Sequence, residues 1–239
     1  TIDCYGNSEK TEYNSVGLKS RTIDKGGNIT QYEHDYMGNV TKIIYPDKTE
    51  ENYKYDIEGK KTSFTDRAGR EETYTYDVLG RLTKITYADG TTLEKEYDKI
   101  GRLVKETDAN GNETIYEYDD AGRNTSVKDA SGNITYYEYN PKGEVIKIKD
   151  ANGNEIHYER DAFGRITRET YEDGTFKLYE YDKIGKKISE TDQAGKVTAF
   201  EYNVKGSITK VIDSMGSETV FEYDGFDNLI AQTDAEEKT

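Results

Sequence analysis

Tyr97-Asp98-Lys99-Ile100-Gly101-Arg102-Leu103-Val104-Lys105-Glu106-Thr107-Asp108-Ala109-Asn110-Gly111-Asn112-Glu113-Thr114-Ile115-Tyr116-Glu117 is one 21-residue unit of this chain, and its reading decides the fold. The Tyr-Asp-x-x-Gly element that opens it returns at the same interval throughout. Units begin at residues 13, 34, 55, 76, 97, 118, 139, 160, 181, 202 and 223, with partial units at both ends, so 1–239 reads as a single repeat array. A period this strict points to one small structural unit stacked on copies of itself, not to a globule folded round one pocket.

Positions within a unit are numbered here as slots 1 to 21. Slot 2 is Asp or Asn in every copy, and slot 5 is Gly except at Asp227. Asp bonds its own backbone at the start of a turn and Gly supplies a positive φ, so slots 2–5 predict a three-residue loop made of a type I turn and a glycine bulge. Slots 13–16 read Ala109-Asn110-Gly111-Asn112 or Ala88-Asp89-Gly90-Thr91. The Asn-Gly and Asp-Gly pairs predict a second, two-residue hairpin turn. Between the turns lie short stretches rich in Tyr, Thr, Ile and Val, which predict strands, and nothing predicts a helix. The expected fold is all-β: an array of antiparallel hairpins.

Strand side chains alternate with period two, yet the unit length is odd. One odd loop and one even loop would restore parity. That arrangement puts slots 1, 18, 20, 7, 9 and 11 on one face and slots 21, 19, 17, 8 and 10 on the other. The first face then carries two aromatic rows. Slot 1 is Tyr except at His34 and Arg160, and slot 20 holds Tyr32, Tyr53, Tyr74, Tyr116, Tyr137, Tyr158, Tyr179, Phe200 and Phe221. The second face carries glutamates such as Glu96, Glu117 and Glu138.

Composition narrows the function classes. Apolar residues make up 33%, 22 residues are Tyr, mean hydropathy is −1.00 and the net charge is −15. Low hydropathy with high charge is a mark of disorder, but aromatics at fixed positions are not. The acidic balance opposes binding to nucleic acid, which requires clustered Lys and Arg, and opposes an anionic membrane surface. No apolar run is long enough to enter a bilayer. Cys4 is the single cysteine, so no internal disulfide forms.

The signature residues are Tyr55, Asp56 and Gly59; Tyr76, Asp77, Gly80 and Arg81; Tyr97, Asp98, Gly101 and Arg102; Tyr118, Asp119, Gly122 and Arg123; and Tyr181, Asp182 and Gly185. Together with the period and the second turn, they resemble the RHS or YD repeat. The resemblance implies one long, strongly curved or spiralling sheet, a section of a hollow shell. Bacterial Rhs, wall-associated and Tc-type toxins build such shells around a C-terminal toxic domain, and teneurins use a similar one in adhesion. It further implies a structural, secreted or surface-displayed bacterial segment whose partners are neighbouring repeats of a longer parent and an enclosed toxin domain. The toxin-type shells close with an Asp-Pro core motif linked to self-cleavage. No Asp-Pro occurs here, so no cleavage residue carries over.

Chemistry finds little support. His34 and His157 are the only histidines and fall on opposite faces. Carboxylates recur once per unit as turn caps, and the Asp108–Asn112 stretch lacks the glycine and glutamate spacing of a calcium loop. The expectation is no enzyme, no cofactor and no metal. The alternative reading is an extracellular adhesion module whose tyrosine rows stack on carbohydrate or grip a receptor. Unpaired edge strands at the ends predict self-association.

Overall fold

The Tyr-Asp loop and the Asn-Gly loop each turn the chain back on itself, so every unit becomes two antiparallel strands. The computed structural model describes residues 9–234, which form 22 strands, from β1 (Lys10–Tyr13) to β22 (Leu229–Thr233), and no helix. All of the strands belong to one antiparallel sheet. Cys4, and the partial unit expected around Gly6, lie outside the described residues.

The chain divides into two compact units, residues 1–115 and 116–239. In the first, each strand from β1 onward pairs with the next in sequence, ending with β9 (Thr92–Tyr97) on β10 (Leu103–Thr107) and β10 on β11 (Glu113–Tyr118). In the second, the same order runs from β12 (Asn124–Lys128) to β22.

The first turn is as expected. The Asp98 amide donates to the Arg102 carbonyl (2.9 Å), the Gly101 amide donates to the Asp98 carbonyl (3.1 Å), and Gly101 has φ +99°. The second turn differs from the two-residue expectation. The Asp108 amide donates to the Asn112 carbonyl and the Gly111 amide to the Asp108 carbonyl, both at 2.9 Å. This is the same three-residue loop with a glycine bulge. Asn110 keeps a negative φ, because the left-handed residue is Gly111 alone. The physical reason is the cap: Asp108 Oδ1 accepts from the amides of Asn110 (2.8 Å) and Asn112 (2.9 Å), which fixes a type I turn before the glycine.

With both loops odd, parity is restored elsewhere. Tyr97 faces Leu103, but Glu96 faces Lys105, so Val104 at slot 8 is an extra residue. The same register shift follows the Tyr-Asp loop in both units, for example between Thr75 and Tyr76 and between Glu180 and Tyr181. One β-bulge per repeat therefore does what an even loop was expected to do. It also corrects the face assignment. Slot 20 pairs with slot 10, as in Tyr53 with Phe64, Tyr74 with Ile85 and Tyr137 with Ile148. Slots 1, 18, 20, 7 and 10 share the aromatic face, and slots 9 and 11 join slots 17, 19 and 21 on the other.

That swap matches the chemistry. Slot 10 brings Ile43, Phe64, Ile85, Val127, Ile148 and Val211 to the aromatics, with Glu106, Glu169 and Glu190 among the exceptions. The Tyr53 and Phe64 rings lie 5.1 Å apart. Slot 9 brings Lys and Ser to the glutamates: Lys105 Nζ lies 2.6 Å from Glu113 and 3.7 Å from Glu96, and Ser63 Oγ donates to Glu71 (2.6 Å). Among the described residues no apolar side chain is buried; only Ser63 and Ser126 are. Cross-strand pairing therefore takes the place of a core.

Candidate functional site

The signature residues build one clasp, repeated between successive repeats. In the repeat that starts at Tyr76, Asp77 Oδ1 accepts from the amides of Leu79 (2.9 Å) and Arg81 (3.0 Å), and Oδ2 accepts from Arg81 Nε (2.7 Å). The guanidinium, held by that fork, lies 4.7 Å from the ring centre of Tyr97 in the next repeat. Arg81 Nη1 also donates to the Asp98 carbonyl (3.2 Å). In the other direction, the Tyr97 hydroxyl donates to the Leu82 carbonyl (2.9 Å). The two repeats thus grip each other reciprocally, at a cation–π contact and two charge- or carbonyl-directed hydrogen bonds.

The second unit repeats the pattern. Arg123 is held by Asp119 (2.6 Å), lies over Tyr139 (4.9 Å) and donates to the Asn140 carbonyl (3.0 Å), while Tyr139 donates to the Asn124 carbonyl (2.6 Å). Arg165 does the same with Asp161, Tyr181 and the Asp182 carbonyl, and Tyr181 donates to the Ile166 carbonyl (2.9 Å). Where lysine replaces arginine the clasp persists in reduced form: Lys186 Nζ donates to the Asn203 carbonyl (3.0 Å) and lies 5.1 Å from the Tyr202 ring.

The remaining signature residues make the same local bonds. Tyr55 and Tyr76 donate to the carbonyls of Val40 (2.9 Å) and Lys61 (2.8 Å). Asp56 and Asp182 cap their loops through the amides of Lys60 and Lys186 (both 2.9 Å), and Arg102 Nε donates to Asp98 (2.6 Å). Gly59, Gly80, Gly122 and Gly185 have φ between +80° and +95°. Tyr118 closes β11 at the same slot.

Two substitutions reveal what the slot demands. Arg160 stands in a tyrosine slot, and its Nε and Nη2 donate to the Val145 carbonyl (3.2 and 3.0 Å), the same acceptor position that the tyrosine hydroxyls use. Asp227 stands in the glycine slot at φ +71° and accepts from Asn203 Nδ2 (2.9 Å) and Ser207 Oγ, bridging to a repeat whose slot 6 lacks a cation. Sequence reading flagged both as deviations but missed their bonds, because the partners lie in the preceding repeat, 15 to 24 residues away.

Electrostatics follow the same partners. Backbone amide donation from Arg81, Arg102 and Arg123, then their guanidinium contacts, hold Asp77, Asp98 and Asp119 below the ordinary aspartate pKa. On the glutamate face, Glu155 is lowered to about 2, first by Lys147 and then by Lys149 and His157. Partial burial raises Tyr55, Tyr76 and Tyr139 above the usual phenol value.

His157 Nε2 lies 3.2 Å from Glu155 on the glutamate face, whereas His34 sits in a tyrosine slot of the aromatic face. Among the described residues no three His, Cys, Asp or Glu gather in metal-binding geometry. No helix is long and apolar enough to cross a membrane.

Known proteins share this fold. The crystal structure of TcdB2-TccC3-TEV superposes with a TM-score of 0.71 at 16% identity, covering 95% of this chain and 14% of that one. TcdB2-TccC3 without its hypervariable C-terminal region gives 0.70 at 15% identity, with the same coverage. The Photorhabdus luminescens Tc holotoxin pore with the TccC3-D651A mutation gives 0.50 at 13% identity, covering 97% of this chain and 17% of that one. The chain therefore spans about a seventh of the length of these structures, and at such identities the likeness is one of fold. No curated protein matches. The family model for the teneurin YD-shell matches residues 62–239, and the chain belongs to that family.

Proposed function

We propose that this chain is a stretch of shell wall, structural and without chemistry of its own, that encloses a toxin or effector domain of a longer parent. The single observation that carries the reading is the clasp. The Arg81–Tyr97–Leu82 arrangement recurs as Arg123–Tyr139–Asn124 and Arg165–Tyr181–Ile166, and each instance spends its polar groups on the next repeat. A catalyst needs one unique environment, whereas a wall needs the same joint many times. Similarity to TcdB2-TccC3 supports a secreted or cell-surface setting and neighbouring shell repeats as partners.

The test is protease protection in the parent protein. A domain enclosed by the wall resists digestion, and Arg81→Ala with Tyr97→Phe, which opens one joint, speeds its cleavage. Equal digestion of intact and opened forms defeats the reading. The adhesion reading has one observation in its favour: slot-20 rings such as Tyr137 and Tyr179 are only half-buried. Against it, slot-1 hydroxyls are already engaged by carbonyls. Saturable glycan binding in titration calorimetry, lost on Tyr137→Ala and Tyr179→Ala, would favour adhesion over the wall.

A further inference from the structure

The two x positions of Tyr-Asp-x-x-Gly play no part in the clasp, yet they carry a pattern. In four consecutive loops of the first unit they hold Tyr36, Met37, Ile57, Val78, Leu79 and Ile100, whose exposures run from 48% to 103%, beside Glu58 and Lys99; in the second unit Phe163, Ile184, Val204 and Phe226 stand one to a loop at the same positions. The turn does not require apolar side chains there. Asp119 and Gly122 build the same loop around Asp120-Ala121, and Asn140 and Gly143 build it around Pro141-Lys142. Loop exposure alone does not explain them either. The tips of the second turns in the same unit are equally exposed and read Pro46-Asp47, Arg67-Ala68 and Ala88-Asp89. The apolar choice belongs to one edge only.

Two of the four loops are also charge-paired at their caps in a chain of net charge −15. Asp77 and Asp98 beneath the tips are paired at 2.6 Å with Arg81 and Arg102. An apolar strip is suited to a partner that is itself apolar there.

We infer that this edge of the first unit docks edge to edge against the same edge of a second copy of this chain. The spacing selects the occupant. Successive tips stand two strands apart, roughly 9–10 Å. A partner that engages all four loops must present groups at that interval, and the chain's own edge does. A two-fold pairing sets each tip between two tips of the other copy. Six such side chains offer about 400–600 Å² per copy, roughly 1,000 Å² in the pair, at the lower limit of a specific interface. The inference goes beyond the shell-wall reading and stands without it.

Sedimentation velocity across a concentration series tests it, on the whole chain and two double variants. Leu79→Lys with Ile100→Lys charges the apolar edge. Ala88→Lys with Ala109→Lys charges exposed tips of the opposite edge and serves as the control. The expected result is a reversible dimer whose dissociation constant rises at least about tenfold in the first variant and is unchanged in the second, since each added charge must be desolvated at an apolar contact. Raising salt from about 0.05 M to about 0.5 M should tighten the dimer, because screening removes repulsion between acidic chains. A monomer at every concentration overturns the inference. So does a dimer indifferent to the Leu79 and Ile100 changes, which would assign pairing to the terminal strands, or one that salt dissolves.

Discussion

The two turns of each repeat have the same backbone and opposite consequences. Asp98–Arg102 and Asp108–Asn112 both form a three-residue loop capped by the aspartate, and each ends in a glycine of positive φ. After the first comes a bulge, an arginine-type side chain that reaches the next repeat and a tyrosine that reaches back. The partner of the second cap is the side chain of Asn112, whose Nδ2 donates to Asp108 Oδ2 (2.9 Å) and goes no further. The first edge couples repeats by a recurring clasp; the second mainly reverses the chain and couples repeats only in places, as where Arg67 donates to Thr49 Oγ1 (2.7 Å) and where Gln193 donates to Thr175 Oγ1 (3.1 Å). The backbone of the loops themselves does not distinguish them. The side chain after the glycine does so here: the Arg81 guanidinium spans the gap between hairpins, and the Asn112 carboxamide closes on its own loop.

The largest expected effect lies on the coupling edge. Tyr97→Ala removes the hydroxyl bond to Leu82 and the ring under Arg81, and should cost about 2–3 kcal/mol, less than a fully buried aromatic because the ring is partly wet. Asn112→Ala on the reversing edge should cost under about 0.5 kcal/mol. Urea titration of both variants checks the contrast, and equal losses would erase the distinction between the edges.

The backbone offers a control in which the edges should agree. A Cβ at Gly122 or at Gly111 meets nothing within 4 Å, so Gly122→Ala and Gly111→Ala report the positive φ alone. Each should lose about 1–2 kcal/mol. A difference of more than about 1 kcal/mol between them in the same titration would mean that the loops are not equivalent.

A gain is expected where the reversing edge lacks its glycine. Lys48 occupies that slot at φ +68°, and Lys48→Gly should raise stability by about 1 kcal/mol. An unchanged or lower thermal midpoint would show that the lysine side chain offsets the strain.

The most diffuse expectation concerns pH, and it involves both edges. Amide donors hold Asp77, Asp98 and Asp119 below their ordinary pKa, and the Asn112 carboxamide, followed by its amide, does so for Asp108. A lowered native pKa binds fewer protons than the unfolded chain, so the caps stabilise above about pH 4 and lose that contribution as pH falls through the native values. Protonation also relieves repulsion in a chain of net charge −15, which acts in the opposite sense. The caps are hydrogen-bonded and close, while the repulsion is spread and screened, so the urea midpoint should fall between pH 5 and about pH 3. A rising midpoint would assign the larger role to repulsion.

Much of this was legible in the residues. Alternation of Tyr and Thr with charged neighbours marked the strands, Asp with Gly marked both reversals, and the aromatics at slots 1 and 20 do share a face. Misread were the second loop's length and the side taken by slots 9, 10 and 11. Asn110-Gly111 suits a two-residue loop as well as the last two places of a three-residue one, and the choice rests on the Asp108 cap. Slot 8, where the bulge sits, holds Thr41, Thr83, Val104, Thr125 and Ile146, residues at home in any strand.

The sequence by itself determined what each short segment does, because turn chemistry and strand propensity act over a few neighbouring residues. Only the tertiary structure decided which side chains meet. A bulge is a mismatch between two strands, and a clasp is a bond to a carbonyl 15 or 17 residues away, so neither exists until hairpins lie side by side. Arg160 and Tyr97 look unrelated along the chain, yet both donate to the same acceptor position because that position is defined by the neighbouring repeat.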